Sequence, residues 1–352
     1  MSLYTLSAAE AVQRWPDHDA IIDVRSESEF AEDHLPGAVN WPVLNDDERR
    51  IVGTTFVQVS PLEARKMGAA MVARNIAAHI DREVARQSRD WRPLVYCWRG
   101  GQRSGTMAWF LSQIGFRTLQ LTGGYKGFRT LVRERLDALP AALNFIVLCG
   151  RTGSGKTRLL ASLAAQGAQV LDLEALAAHR GSVLGGWPGR PQPSQKAFDT
   201  ALWHQLHQFD PARPVFVESE SARIGQLRVP QSLLDRLRAQ GACVVVALPE
   251  AERVRLLLEE YAFFAQDVDA LCRLLDPLVE LRGRAAVQHW QALARAGQWA
   301  ECFGLLMTQH YDPLYDRSTR RDFTALDQAR VLPVASADAV AFDMAAAALL
   351  SG

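Results

Sequence analysis

Short apolar runs punctuate the chain at residues 20–25, 93–96, 145–149, 214–217 and 242–248, each of strand length and each followed by a polar or glycine-bearing turn. Between them lie segments in which apolar residues recur at helical spacing. The longest covers residues 62–87, where Val72, Ile76, Ile80 and Val84 return every fourth position and leave Arg65, Lys66, Arg82 and Arg86 for water. Ser60-Pro61-Leu62-Glu63 reads as its start, a capping box with proline at the first helical position. Further helices are predicted at 105–113, 126–139, 157–166, 282–297 and 299–307, and the pattern breaks at 309–318. Strands alternating with helices predict an α/β protein with parallel sheets. Pro140 marks a join, dividing the chain into domains at 1–139 and 140–352, the second with helices at its carboxyl end.

Composition supports two ordinary globular domains: 352 residues, 48% apolar and 22% charged, without a repeat. Lys plus Arg and Asp plus Glu number 39 each, so any surface for nucleic acid must be a local cluster. The first residues carry no basic-then-apolar leader and no run is long enough to span a bilayer, so a cytoplasmic protein away from membranes is expected. Cys97, Cys149, Cys243, Cys272 and Cys302 are far apart and never in a C-x-x-C pair, which argues against both a disulfide framework and a zinc site. His204 and His207 lack an evident third ligand and read as an ordinary helix face.

Two stretches carry chemistry. The apolar run at 145–149 leads into Gly150-Arg-Thr-Gly153-Ser154-Gly155-Lys156-Thr157 and then a helix, the strand, loop and helix order of a phosphate-binding P-loop. Gly153 and Gly155 let backbone N–H groups converge, Lys156 adds a full charge, and Thr157 is suited to Mg2+. Such a loop takes a di- or triphosphate. Asp172, in a strand predicted at 169–174 with acidic residues at its carboxyl end, and Glu218, at the end of the strand 214–217, stand where open α/β sheets bind ligands. Glu218 or Glu220 is in the place of a Walker B group, and Asp172 is equally suited to capping the helix that follows it. The Gly-, Pro- and Gln-rich region 179–195, with Arg180, Arg190 and then Lys196, suits a loop that closes over a substrate. Arg253 and Arg255 read either as phosphate clamps or as solvated residues. Aromatics and arginines at 311–321, including Arg317, Arg320 and Arg321, suit stacking on single-stranded RNA or packing of a carboxyl-terminal loop.

The second stretch is Cys97-Trp98-Arg99-Gly100-Gly101-Gln102-Arg103-Ser104, at a strand's end and ahead of a helix. A cysteine there sits among inward N–H groups that favour thiolate, and Arg99 and Arg103 add positive charge, so Cys97 is a nucleophile candidate. D-V-R at 23–25, E-F at 29–30 and H-L-P-G-A at 34–38 resemble the opening of a rhodanese-like domain, with Asp23 and Arg25 bracing the fold and His34 closing a turn. Arg103 lies six positions after Cys97, a C-x5-R loop one residue longer than the usual rhodanese loop and equal to that of cysteine phosphatases. The larger cradle opens two readings: persulfide or selenium chemistry, or attack on phosphorus.

The order of these two loops, with H-R-G-S at 179–182, Q-P-S-Q at 192–195, V-E-S-E at 217–220 and Y-D-P-L-Y at 311–315, resembles the tRNA 2-selenouridine synthase family nearly from end to end. The resemblance implies a rhodanese-like domain followed by a P-loop NTPase-like parallel-sheet domain. It also implies conversion of 2-thiouridine at the tRNA wobble position to 2-selenouridine in two steps, geranylation by geranyl diphosphate and replacement of the geranylthio group with selenium from selenophosphate. On that basis tRNA and the two small substrates are the partners, and no tightly bound cofactor is expected; Mg2+ enters only through the suitability of Thr157 and the carboxylates for holding it. The alternatives are a P-loop kinase with an accessory rhodanese domain, and a cysteine phosphatase, which the lack of an obvious Asp general acid near the loop disfavours.

Overall fold

A computed structural model describes residues 4–351. The chain divides into two compact units, Met1–Arg135 with Ser194–His204, and Leu136–Pro193 with Gln205–Gly352.

In the first unit, five parallel strands β1 (Tyr4–Leu6), β2 (Ala20–Asp23), β3 (Ala38–Asn40), β4 (Pro93–Tyr96) and β5 (Leu119–Leu121) form one sheet in the order β1-β5-β4-β2-β3. Every residue of β4 is buried, as a central parallel strand covered on both faces requires. Ile22, Val24, Ile76, Val95, Met107 and Leu111 make the core beside it. The predicted long helix is present as Pro61–His79, but its last turn widens into a π-turn, Ile80–Val84, and it stops short of residue 87. The expected capping box at its start is absent. Ser60 Oγ accepts from the Leu62 N–H at 3.2 Å, while Glu63 turns to Lys66 at 2.9 Å. A capping box stands instead at Asn45 and Glu48, opening the helix Asp46–Gln58.

Arg25 braces this unit from within. It is fully buried, forks onto Asp23 at 2.6–3.0 Å, reaches the Asp33 carbonyl at 2.6 Å and lies 3.9 Å from the centre of the Tyr125 ring. His34 closes its turn by bonding the Phe30 carbonyl at 2.9 Å. The helix Gln195–Gln208 belongs to this unit as far as His204. Arg129 bonds Asp199 at 3.0 Å and Thr200 at 2.9 Å, and both Tyr125 and Thr200 donate to Asp33. Bonds between residues so remote in sequence have no local pattern from which to be predicted.

In the second unit, β6 (Phe145–Cys149), β7 (Gln169–Leu171), β8 (Val215–Glu218), a small antiparallel hairpin of β9 (Arg223–Ile224) and β10 (Leu227–Arg228), β11 (Ala242–Ala247) and β12 (Arg330–Pro333) follow in chain order. Apart from the hairpin they form a parallel sheet ordered β12-β11-β6-β8-β7, with β6 at the centre. The helices Lys156–Ala165 and Ala339–Leu350 pack together on the sheet through Leu159, Leu163, Phe342 and Ala346. A separate helical core gathers round Trp290, Leu271 and Met307. Residues 309–318 do not break the helical pattern. A π-turn, Met307–Tyr311, runs directly into the helix Asp312–Asp322, because Pro313 stands in the first turn, where a missing N–H costs nothing.

Candidate functional site

Strand β6 delivers the chain into the glycine loop at Gly150. Gly153 and Gly155 take φ of +75° and +79°, the left-handed region open to glycine, and the helix then starts at Lys156. Ser154 is buried beneath the turn. Lys156 Nζ donates to the Gly150 carbonyl at 2.7 Å and lies 5.4 Å from the Tyr315 ring centre. Four residues far along the chain hold the loop's shape. The Gly150 N–H donates to Tyr315 Oη at 2.5 Å, and Tyr315 in turn meets Ser219 Oγ at 2.9 Å. Arg253 is buried, donates to the Thr152 carbonyl at 2.7 and 3.0 Å, and is fixed by both oxygens of Asp312. Arg253 is thus neither clamp nor solvated residue but a brace beneath the loop. Arg255 lies at the surface with Glu252 and Asp338.

Above the loop opens a cavity of about 880 Å³, a volume suited to a small organic ligand. Its floor is Gly153, Ser154, Gly155, Lys156 and Thr157; one wall is acidic, with Asp172, Glu174, Glu218 and Glu220; another is apolar and aromatic, with Leu257, Tyr261, Tyr311 and Leu314. Asp172 is both a helix cap and a cavity-lining residue. Strand β7 ends at Leu171, and Asp172 caps the helix Leu173–Ala177 through the Ala175 N–H at 2.7 Å while facing the cavity. Glu218 is 2% exposed, accepts from the Glu174 N–H at 2.9 Å through Oε1, and leaves Oε2 buried without a partner. Glu174, which the sequence pattern did not single out, comes within 3.3 Å of Thr157 Oγ1. Burial, then repulsion from Glu220 and Asp172 against the pull of Lys156, pushes its carboxyl up to about 8. Glu218 is driven well above the ordinary carboxylate range by burial and by the same neighbours. Tyr311 and Tyr315 are partly buried and line this cavity; Arg321 pairs with Asp322, and Arg317 and Arg320 lie exposed.

In the first unit, β4 ends at Tyr96 and the loop wraps round Cys97, 4% exposed, before the helix Gln102–Ile114. Two donors reach Cys97 Sγ: the Gly101 N–H at 3.3 Å and Ser104 Oγ at 3.1 Å. Gln120 on β5 fixes that arrangement, donating to Ser104 Oγ at 2.9 Å and to the Gly100 and Gly101 carbonyls. Gly100 (φ +66°) and Gly124 (φ +54°) touch back to back, leaving no room for a Cβ at either position. Arg103 does not bond the sulfur. It pairs with Glu29 at 3.0 Å; burial works to raise that carboxyl, but Arg103 and Arg49 outweigh it and hold it below its ordinary value. Arg99 is exposed at the loop's rim. Ser104 and Gln120 are the residues that motif reading passed over.

Residues 143–271 match the family described as the tRNA 2-selenouridine synthase AAA domain, and residues 7–131 match the rhodanese-like domain family. A tRNA 2-selenouridine synthase of Nitrosomonas europaea is 39% identical over 252 residues, 68% of this chain and 63% of that protein. One from Alcanivorax borkumensis is 34% identical over 341 residues, 88% of this chain and 92% of that protein. A solved structure of a rhodanese-related protein from Thermoplasma volcanium is similar over 36% of this chain and 92% of that one, at 17% identity and a TM-score of 0.25. With a thiol loop and a glycine loop each assembled in its own unit, and with likeness to such relatives along most of its length, the chain belongs to the tRNA 2-selenouridine synthase family.

Proposed function

We propose that this chain converts 2-thiouridine at the tRNA wobble position to 2-selenouridine through an S-geranyl intermediate, with geranyl diphosphate at the glycine loop and selenophosphate served by Cys97. The observation that carries the reading is the cavity above Lys156, which joins a diphosphate cradle to a wall of Leu257, Tyr261, Tyr311 and Leu314. A prenyl chain buries apolar surface against such a wall while its diphosphate meets the loop. The thiocarbonyl sulfur attacks the allylic carbon, the carbon–oxygen bond breaks, and diphosphate leaves with its charge held by Lys156 and the loop's N–H groups. The Cys97 thiolate then attacks the phosphorus of selenophosphate and the phosphorus–selenium bond breaks. The selenide so released adds to the pyrimidine carbon as geranylthiolate departs, alkylation having made sulfur the better leaving group. Water afterwards cleaves the phosphoryl group from Cys97 as phosphate.

The donor set fits Mg2+. Among the described residues no three His, Cys, Asp or Glu side chains form a metal cage, but magnesium commonly binds through one or two carboxylates together with substrate phosphates. Thr157, Glu174 and the unpartnered Oε2 of Glu218 would hold it, and it would neutralise charge on the diphosphate.

Purified protein, thiolated tRNA, geranyl diphosphate and selenophosphate, followed by nucleoside mass spectrometry, test the assignment. Cys97→Ser should accumulate the S-geranyl nucleoside. Lys156→Ala should slow its formation by roughly thirty- to a thousandfold, since the leaving anion is deprived of a charge-assisted hydrogen bond. Absence of the geranylated species in Cys97→Ser, or its normal rate in Lys156→Ala, refutes the division of labour. Phosphate release from ATP in place of geranyl transfer would favour a kinase.

A further inference from the structure

The loop that follows the helix Leu173–Ala177 carries an arginine whose setting neither the glycine loop nor the cysteine loop explains. Ala178 is the single non-glycine residue with positive φ among the described residues, at 49°, and it ends that helix in a left-handed cap. Gly181 (φ +67°) follows, and a Cβ there would sit about 3 Å from the carboxylates of Glu220 and Glu174. Between them Arg180 is fixed at both ends of its backbone, its N–H donating to the Gly185 carbonyl and its own carbonyl accepting from Ser182, each at 2.8 Å. Its guanidinium carbon lies 5.3 Å from the Tyr261 ring centre, 5.5 Å from Trp187 and 5.8 Å from Phe263. Aromatic faces stabilise the charge but leave the N–H donors unused, and Arg180 Nη1 is buried without a hydrogen-bond partner. Arg180 lines the same cavity as Lys156, and both cations act on the Glu260 carboxyl in its wall.

We propose that Arg180 is the second cation of the diphosphate site, donating from its guanidinium to the outer oxygens of the anion that Lys156 and the glycine loop hold. The inference rests on the glycine loop being a diphosphate site. When the carbon–oxygen bond breaks, negative charge grows on the departing diphosphate, and a planar guanidinium held by aromatic faces needs little reorganisation to receive it. The buried, unpaired donor is then completed by the ligand rather than by the protein.

Calorimetric titration of the full chain with inorganic pyrophosphate, with and without Mg2+, separates the possibilities. Arg180→Met keeps the apolar stem and should weaken binding by roughly ten- to a hundredfold, the usual effect of losing a hydrogen-bonded charge. Arg180→Lys should recover part of that loss, and geranyl transfer should fall in parallel in both variants. Pyrophosphate affinity unchanged in Arg180→Met, with Lys156→Ala clearly weakened, overturns the role of Arg180 and leaves the diphosphate site standing. Full affinity in Lys156→Ala, or no binding by the wild type, overturns both. Should Arg180→Met not fold, Arg180→Lys decides: a several-fold loss of affinity at an unchanged melting temperature supports the proposal, and wild-type affinity ends it.

Discussion

Ser104 and Glu174 show how much a single side chain can decide. Ser104 Oγ is one of two donors on Cys97 Sγ and is held by Gln120, so Ser104→Ala should leave the fold intact and slow selenium transfer by roughly ten- to a hundredfold, with geranylation unaffected. Ser104→Thr should recover much of the rate in the same nucleoside assay. Glu174 makes a pH prediction. Its carboxyl titrates at about 8 in the folded chain against 4.5 ordinarily, so between those values the folded protein holds a proton that the unfolded chain has lost. Stability therefore falls as pH rises through that window. The penalty is absent below it and complete above it. The melting temperature of the ligand-free protein should drop from pH 5 to pH 8, and Glu174→Gln should flatten the slope. An equal slope in the variant would show that this carboxyl is not the source.

At the scale of elements, the glycine loop owes its shape to segments that arrive last in the chain. Gly155 is covered by Phe342 of the carboxyl-terminal helix, and a Cβ at that glycine would overlap the ring. Gly155→Ala combines that overlap with a left-handed backbone, and should destabilise the second unit by about 2 to 4 kcal/mol while abolishing pyrophosphate binding. Gly167 is the control. Its φ is +84°, nothing lies within 4 Å of a Cβ built on it, and Gly167→Ala should cost only the backbone term, about 1 to 2 kcal/mol, with binding retained. Urea denaturation followed alongside calorimetry distinguishes the two. Arg253 and Asp312 act in the same way beneath Thr152, so the Y-D-P-L-Y segment supports the loop through Asp312 and Tyr315 while its Tyr311 and Leu314 line the cavity.

For the whole molecule, a net charge of zero means that attraction to tRNA must come from local arginines such as Arg317 and Arg320, which lie exposed on the helix Asp312–Asp322. Affinity for tRNA should fall with salt, and replacing both with Ala should lower the logarithmic salt slope by about 0.7 to 0.9 for each phosphate that the two arginines neutralise. An unchanged slope would move the RNA surface elsewhere. The two α/β units, their central strands, the glycine loop and the nucleophile candidate Cys97 were legible in the chain itself, because alternation of apolar runs and the spacing of glycines are local properties. The edge strand Arg330–Pro333 was not, since four residues ending in proline carry little pattern, and neither was the placement of Arg103 on Glu29 rather than on the sulfur. Local spacing says which residues can turn, cap or bind. Which donor meets Cys97, which carboxylate faces Thr157, and that Arg253 and Phe342 shape the glycine loop are set by packing between residues far apart in the chain, and only the tertiary structure decides them.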